Sequence, residues 1–271
     1  MRARRSPPDP TLAEAKATTR RVARTFALAC RLLPAAVRDD VYRLYLVFRA
    51  LDDAVDEGQP GAEARVEAVE RWARGGAAQS REARVLAVVD ARRPLPRRAL
   101  LDFCRGMRDD LAERPVVTEE DLDTYCYRVA GTVGVTMAAV LGTRAPAERQ
   151  AAALGMAMQR TNVLRDVEED RVRGRVYLPQ QAIERHRIEG PEGRERLVRE
   201  QIARADALYD EGLAGVAKLA CGRRAVRAAG VMYREILREI ERDGYGRSRE
   251  RVAVSRRRKL ALAARHGVLA R

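Results

Sequence analysis

The chain has 271 residues, of which 46% are hydrophobic and 34% are charged, and its net charge is +14. This length and apolar content suffice for a sizeable core, whereas no apolar run reaches the roughly 18 residues that a membrane span requires. The positive charge comes almost entirely from arginine, because Lys16, Lys218 and Lys259 are the three lysines. Such a balance suits an anionic small substrate, an anionic membrane surface or nucleic acid.

Several kinds of site are disfavoured by the composition. Aromatic residues make up 4% of the chain and no nucleic-acid motif is visible, so nucleic acid is not the expected partner. With His186 and His266 as the two histidines, a histidine metal site or triad is not expected. The segment "MRARRSPPDP" has no apolar stretch after its basic residues, which argues against a secretory signal.

Four cysteines are scattered along the chain without C-x-x-C spacing: Cys30, Cys104, Cys126 and Cys221. Each stands among Ala, Val or Leu, which is typical of core thiols in a reduced cytosolic protein. The expected location is therefore cytoplasmic.

Strand patterns are nearly absent, because Ala, Leu, Arg and Glu dominate the periodic segments. Helices are predicted at residues 11–33, 38–57, 62–73, 81–91, 96–113, 119–141, 146–171, 195–221, 223–243 and 256–267, with breaks at Pro and Gly. No linker divides the chain. The prediction is one all-α domain over residues 1–271, with residues 1–10 as a flexible tail.

The predicted helix 38–57 carries carboxylates on an otherwise apolar background. Asp52 and Asp56 are four residues apart and so share a helix face, with Arg49 on nearly the same face. Two carboxylates at this spacing repel each other, and burial among apolar residues would cost more unless a cation pairs with them. A solvated polar face is the alternative interpretation.

A second acidic segment has the same D-x-x-x-D spacing. Gln159, Asn162, Asp166 and Asp170 form a polar stripe at intervals of three, four and four residues, and arginines accompany it: Arg165, Arg171, Arg173 and Arg175. Carboxylate and amide oxygens are hard ligands that suit Mg²⁺, which completes its shell with water and substrate phosphate. If the two helices face each other, they predict a cavity in which a diphosphate departs with metal assistance.

Three other features have simpler interpretations. The small residues of "AGTVG", residues 130–134, indicate either tight helix packing or close approach of a ligand. The pair Asp109–Asp110 is interpreted as a solvated face. The run Arg256–Lys259 is interpreted as solvated, with contact to an anionic membrane as the alternative.

Four segments together resemble the squalene/phytoene synthase family of head-to-head prenyl synthases: "RTFALACRLLP", "YRLYLVFRALDDAVDE", "YCYRVAGTVG" and "QRTNVLRDVEEDRVRGRVYLP". The C-terminal "YREILREIERDGYG" also resembles the family. The resemblance implies an all-α isoprenoid-synthase helical bundle with a central apolar cavity. It implies condensation of two prenyl diphosphates, through an allylic cation and a cyclopropyl intermediate.

The same resemblance assigns roles to individual residues. Metal ligands, for Mg²⁺ with Mn²⁺ as a possible substitute, are expected at Asp52, Asp56, Asn162, Asp166 and Asp170, and the four aspartates are the expected catalytic residues. Contacts to the substrate are expected from Arg24, Thr25, Tyr45, Arg49, Gln159, Arg165 and Tyr233. Val22 and Ala23 depart from the family, which often has His or Ser just before this first segment.

The segments are most similar to the phytoene synthase branch, so the predicted substrate is geranylgeranyl diphosphate. The alternatives are a farnesyl-diphosphate enzyme that forms presqualene diphosphate, squalene or dehydrosqualene, and a non-catalytic helical interaction protein of the same fold. No dinucleotide fingerprint indicates NADPH. Peripheral contact with the inner face of the membrane is expected from the oily product and the basic charge, and no pattern specifies an oligomeric state.

Overall fold

The structure is a computed structural model that describes residues 10–188, 190–246 and 251–265, with the backbone alone at Pro10, Arg24 and Ala263. Within those ranges the chain forms fourteen α-helices and no strand. The helices are α1 (Pro10–Val22), α2 (Arg24–Cys30), α3 (Ala35–Asp56), α4 (Ala62–Ala73), α5 (Arg81–Asp90), α6 (Arg97–Leu111), α7 (Glu119–Cys126), α8 (Thr132–Leu141), α9 (Glu148–Arg165), α10 (Val167–Val172), α11 (Gln180–His186), α12 (Pro191–Ala214), α13 (Arg223–Arg242) and α14 (Arg256–Ala263). The predicted all-α class is confirmed.

Helix α9 lies at the centre of the bundle, in contact with α7, α8, α12 and α13. Helix α3 organises the other half, where it contacts α1, α4, α5, α6 and α8. Apolar side chains form one large cluster around α3 and a second around α9 and α12. Helix α3 carries the first acidic segment, and α9 leads directly into the carboxylates of the second segment. Packing around α3 and α9 therefore positions the carboxylates.

Two glycines bring α8 and α9 into backbone contact. A Cβ atom on Gly134 would lie 2.2 Å from the carbonyl oxygen of Ala151, and one on Gly155 would lie 2.2 Å from that of Ala130. Residue 134 therefore faces 151 and residue 130 faces 155, as antiparallel neighbours. The tight packing expected for "AGTVG" is present at this crossing.

We expect Gly155→Ala to lower the free energy of unfolding by about 3 kcal/mol, the upper end of the usual cost of overpacking. The new methyl group would overlap the Ala130 carbonyl, so α8 and α9 would have to separate. Urea denaturation measures the loss. Gly190→Ala is the comparison, because a Cβ atom there meets nothing within 4 Å and the change at this helix N-cap should cost about 1 kcal/mol or less. Equal denaturation midpoints for the two variants would contradict the packing argument.

Several predicted helices are interrupted in the structure. The predicted helix 11–33 bends at Ala23, whose φ of −118° and ψ of 64° are not helical. The predicted helix 119–141 contains a π-helical turn, Tyr127–Gly131. The predicted helix 195–221 begins earlier, at Pro191, and its end is a 3-10 turn, Gly215–Lys218. Helix α11 was not predicted.

The break most relevant to function lies in the predicted helix 146–171. Helix α9 ends at Arg165, and Asp166 connects it to α10 with φ −104° and ψ 13°. The stripe from Gln159 to Asp170 is therefore not one straight helix face. No Pro or Gly marks this interruption in the sequence, and at the break the Asp166 side chain accepts hydrogen bonds from Arg165 and Arg251.

The four cysteines are free, and three of them are buried while Cys221 is partly exposed. Among the described helices, none combines the length and the apolar character needed to cross a bilayer. The single-domain organisation stays a prediction. The expected tail falls outside the described residues except for Pro10, which begins α1.

Candidate active site

A cavity of about 370 Å³ lies between α2, α3, α8, α9 and α13. Its walls are mainly apolar, with Phe26, Phe48, Phe103 and Met137 among them. This volume falls in the range of small-molecule sites. Gly134 and Gly155 also line it, so glycines at the α8–α9 crossing also border the cavity, and close approach of a ligand to them stays a prediction.

One end of the cavity is polar. Tyr45, Arg49 and Asp52 reach it from α3, Gln159 and Asn162 from α9, and Tyr233 from α13. The spacings of three and four residues place each set on one helix face. These six predicted site residues, from three distant parts of the chain, share a single cavity.

Hydrogen bonds hold the amide side of this polar end in place. The Tyr233 hydroxyl donates to Asn162 Oδ1 at 2.8 Å, and Asn162 Nδ2 donates to Gln159 Oε1 at 3.1 Å. Tyr45 stacks on Phe26 with ring centroids 5.0 Å apart. Burial raises the pKa of Tyr45 to about 12, so its phenol stays protonated and available as a hydrogen-bond donor.

Asp52 sits in an environment that disfavours its charge. Burial, and secondarily the negative charge of Asp56, raise the pKa of Asp52 to about 7, although Arg49 lies 3.3 Å away. Its side chain keeps 38% of its surface accessible because it lines the cavity. The Nε atom of Arg49 is buried without a hydrogen-bond partner. The Asp52 carboxylate therefore lies beside the Arg49 guanidinium, whose buried Nε–H group has no hydrogen-bond acceptor among the described residues.

Asp56 faces the segment that follows the second acidic motif. Arg175 Nη1 lies 2.7 Å from Asp56 Oδ1 and donates to the Tyr177 hydroxyl at 3.0 Å. Tyr177 in turn donates to Asp110 Oδ1 at 3.4 Å and stacks on Tyr125. Asp56, Arg175 and Tyr177 thus form one contact network, although none of them is among the residues that line the cavity.

Asp110 lies close enough to Asp56 and Arg175 to feel their charges, but it is not among the residues that line the cavity. The interpretation of Asp109–Asp110 as a solvated face is wrong for Asp110, which is 9% exposed. Burial and the charge of Asp56 raise its pKa to about 7. The helical period of α6 could have predicted that Asp110 is buried, because it follows Phe103 and Met107 at four- and three-residue intervals on the buried face.

The second acidic segment divides into two environments. Burial opposes the charge of Asp166, but Arg165 Nε and Arg251 Nε, each 2.8 Å from its Oδ1 atom, lower the net pKa. Burial and the charge of Asp166 raise the pKa of Asp170 to about 6, and the charge of Asp56 adds to this rise. The electrostatic effect of Asp56 on Asp170 shows that these two carboxylates lie near each other. That the two acidic motifs line opposite walls of one cavity stays a prediction.

The carboxylates are not gathered into a finished metal cluster. In the part of the chain that the structure describes, no three His, Cys, Asp or Glu side chains form a group that could hold a metal ion. The chemistry of the donor set nevertheless fits a hard divalent cation, because Asp52, Asp56 and Asp170 offer carboxylate oxygens and Asn162 an amide oxygen. Burial raises the pKa of Asp52 and of Asp170, and a bound cation would favour the charged form of each.

Three predicted substrate contacts are not placed among the residues that line the cavity, and one of them is Arg165, which pairs with Asp166. Arg24 belongs to α2, but its side chain lies outside what the structure describes. Thr25 is half-buried and is not among the cavity-lining residues. Of the two departures from the family pattern, Ala23 lines the cavity and Val22 is 44% exposed.

Comparison with known proteins gives consistent matches. The squalene/phytoene synthase family model matches residues 19–258. A phytoene synthase from Thermus thermophilus is 40% identical over 82% of this chain and 80% of its own, and a 15-cis-phytoene synthase from Synechococcus elongatus is 36% identical over 91% and 89%.

Solved structures match as well. A dehydrosqualene synthase in complex with ligand superimposes with a TM-score of 0.86 at 26% identity, covering 96% of each chain. The squalene synthase HpnC from Alicyclobacillus acidocaldarius superimposes with a TM-score of 0.75 at 27% identity, covering 87% of this chain and 94% of its own.

Proposed function

Since the chain belongs to the squalene/phytoene synthase family, we propose that it joins two molecules of geranylgeranyl diphosphate into phytoene. The general activity is that of a prenyltransferase that condenses two prenyl diphosphates head to head. Geranylgeranyl diphosphate is favoured because the two sequence relatives described above are phytoene synthases. Farnesyl diphosphate is the alternative, supported by the likeness to a dehydrosqualene synthase and a squalene synthase.

The observation that carries the proposal is the division of one cavity into a polar end and an apolar body. Tyr45, Arg49 and Asp52 face Gln159 and Asn162 at the polar end, whereas apolar side chains line the rest. A prenyl diphosphate is divided in the same way, into an anionic head and a hydrocarbon tail. Each half of the substrate therefore meets a surface of matching polarity.

We assign Asp52, Asp56, Asn162, Asp166 and Asp170 as ligands of Mg²⁺, with Mn²⁺ as a possible substitute. When bound, the metal neutralises diphosphate oxygens and so makes diphosphate a better leaving group. We assign Arg49, Arg165 and Arg175 to the diphosphate itself, because guanidinium groups bind phosphate oxygens in a bidentate way. Arg49 has the buried donor that such a contact would satisfy.

The apolar body protects the carbon chemistry. Loss of diphosphate from the first substrate leaves an allylic cation, which the double bond of the second substrate attacks with release of a proton to give a cyclopropyl diphosphate. Loss of the second diphosphate leaves another cation, which rearranges and releases a second proton to give the joined hydrocarbon. Phe26, Phe48 and Phe103 line the cavity and keep water from capturing either cation. Tyr45 and Gln159 are assigned to orient the reacting ends, and Tyr233 to hold Asn162 in position.

Incubation with each diphosphate separately, with Mg²⁺ or with a chelator, tests this function. We expect a 40-carbon hydrocarbon from geranylgeranyl diphosphate in the presence of Mg²⁺ and none after chelation, measured by chromatography and mass spectrometry of the extract. A hydrocarbon product from farnesyl diphosphate alone would contradict the proposed chain length. Absence of product from both substrates would contradict the enzymatic function.

Cytoplasmic location and peripheral membrane contact stay predictions. In α14, Arg258 Nε lies 3.0 Å from Glu235 Oε1, whereas Arg256 and Arg257 are exposed to solvent. Contact of these two arginines with anionic lipid would fit an enzyme that releases an oily product.

A further inference from the structure

The central cavity ends at a wall of two alanines. On the other side of the wall is a surface pocket of about 770 Å³, lined by Pro96, Ala139 and Lys218 among others. Ala138 and Ala147 line both spaces. They are 7% and 4% exposed, so the wall is well packed although it is made of the smallest chiral side chains.

The packing of α8 on α9 places these two alanines opposite each other. Residue 134 faces 151 and residue 130 faces 155, which fixes an antiparallel register. One further helical turn along α8 and back along α9 brings residue 138 to the level of residue 147. Ala147 is also the N-cap of α9, so the wall lies at the end of that helix remote from Asn162.

The depth of the cavity can be compared with the length of a prenyl chain. From residue 162 to residue 147, the rise along α9 is about 22 Å. With C–C bonds of about 1.5 Å, an extended 20-carbon prenyl chain spans roughly 19 Å and a 15-carbon chain roughly 14 Å. A 20-carbon chain whose head lies at Asn162 therefore ends near the alanine wall, whereas a 15-carbon chain ends about one and a half helical turns short of that point.

From these observations we propose that Ala138 and Ala147 are specificity-determining residues, forming the floor against which the last isoprene unit of a 20-carbon substrate packs. The inference rests on the proposed function for its substrate class. Any larger side chain at either position fills space that only the longer chain uses. The diphosphate end is unaffected, because Asp52 and Asn162 lie at the opposite end of the cavity.

The test compares Ala138→Leu with Ala139→Leu. These neighbouring positions on α8 receive the same substitution, but Ala139 lines the surface pocket and not the central cavity. Binding of geranylgeranyl and farnesyl S-thiolodiphosphate, which resist ionisation, is measured by calorimetry. We expect Ala138→Leu to weaken binding of the 20-carbon analogue at least tenfold and of the 15-carbon analogue less than about twofold. Ala139→Leu should change neither affinity by more than about twofold.

Ala138→Val and Ala147→Val are included in case Ala138→Leu does not fold, because valine adds fewer atoms than leucine at these packed positions. The proposal requires both to lower the preference for the 20-carbon analogue, by less than Ala138→Leu does. An unchanged preference in both valine variants, or an equal effect of Leu at positions 138 and 139, overturns it. Failure of the unaltered chain to convert geranylgeranyl diphosphate contradicts the proposed function instead. The binding measurements test the role of Ala138 and Ala147 without depending on turnover.

Discussion

Asp52→Asn should lower the rate of Mg²⁺-dependent diphosphate release by at least about 100-fold, a loss typical of removing one charged group from a site that stabilises a leaving group. The substitution keeps the size of the side chain and removes the charge. Burial and the neighbouring Asp56 already disfavour that charge, since they raise the pKa of Asp52 to about 7. We therefore expect the variant to be as stable as the parent or more stable, a trade-off seen at functional sites. Diphosphate release and thermal denaturation provide the two measurements.

The matched control for this prediction is Asp39→Asn. Asp39 lies on the same helix, α3, and its carboxylate pairs with Lys16 Nζ at 2.8 Å. It is absent from the cavity lining, so its substitution should change the rate by less than about twofold. If this chain were a non-catalytic member of the family, the parent and both variants would release no diphosphate. An Asp52→Asn enzyme with the parental rate would contradict the assigned role.

Asp166→Asn should also reduce diphosphate release, but with the opposite effect on stability. Asp166 accepts hydrogen bonds from Arg165 and Arg251, so loss of its charge removes one ion-pair partner from each, and Arg251 keeps Glu169 at 3.6 Å. We expect a lower free energy of unfolding, in contrast to Asp52→Asn. Opposite stability effects of the two substitutions would show that the charge of Asp52 serves ligand binding at a cost in stability, whereas the charge of Asp166 also stabilises the fold.

Arg160→Met should lower the free energy of unfolding by about 3–5 kcal/mol, the range for removing one partner of a buried ion pair. The Arg160 side chain is 2% exposed and joins three helices. Its Nη2 atom donates to Asp123 Oδ1 at 2.6 Å and to Glu119 Oε2 at 3.1 Å, and its Nη1 atom donates to Gln201 Oε1 at 2.8 Å. Methionine fills the space but removes the donor to Asp123 and to Gln201 Oε1, whereas Glu119 keeps its contacts with Gln201 and Arg204. Urea denaturation measures the effect.

Arg204→Met is the control, because Arg204 pairs with the same Glu119 at 3.7 Å from an exposed position. Exposed ion pairs contribute about 1 kcal/mol or less, so this variant should lose no more than that. Similar losses for Arg160→Met and Arg204→Met would mean that burial of Arg160 adds nothing to the strength of the network.

Periodicity along single helices predicted much of this site. Arg49 and Asp52 share a face of α3, and Gln159 and Asn162 share a face of α9, because residues three and four apart are neighbours on any α-helix. Tyr45 and Tyr233 are expected from the family resemblance and not from spacing. The all-α class followed from composition in the same way, since Ala, Leu, Arg and Glu favour helices wherever they are packed. These are local properties, and they are fixed by the order of residues alone.

Contacts between distant segments decided the rest. The pairing of Asp56 with Arg175, the burial of Asp110 and the contact of Asp166 with Arg251 all involve segments that are distant along the chain. The level at which Ala138 meets Ala147 depends likewise on how deeply Gly134 and Gly155 let two helices approach. By itself, the sequence determined which helix faces are acidic, which are apolar and which family the chain resembles. The tertiary structure alone decided which carboxylates face one another and where the cavity ends, because separations between helices arise from packing across the whole bundle and are not encoded in the spacing along any one of them.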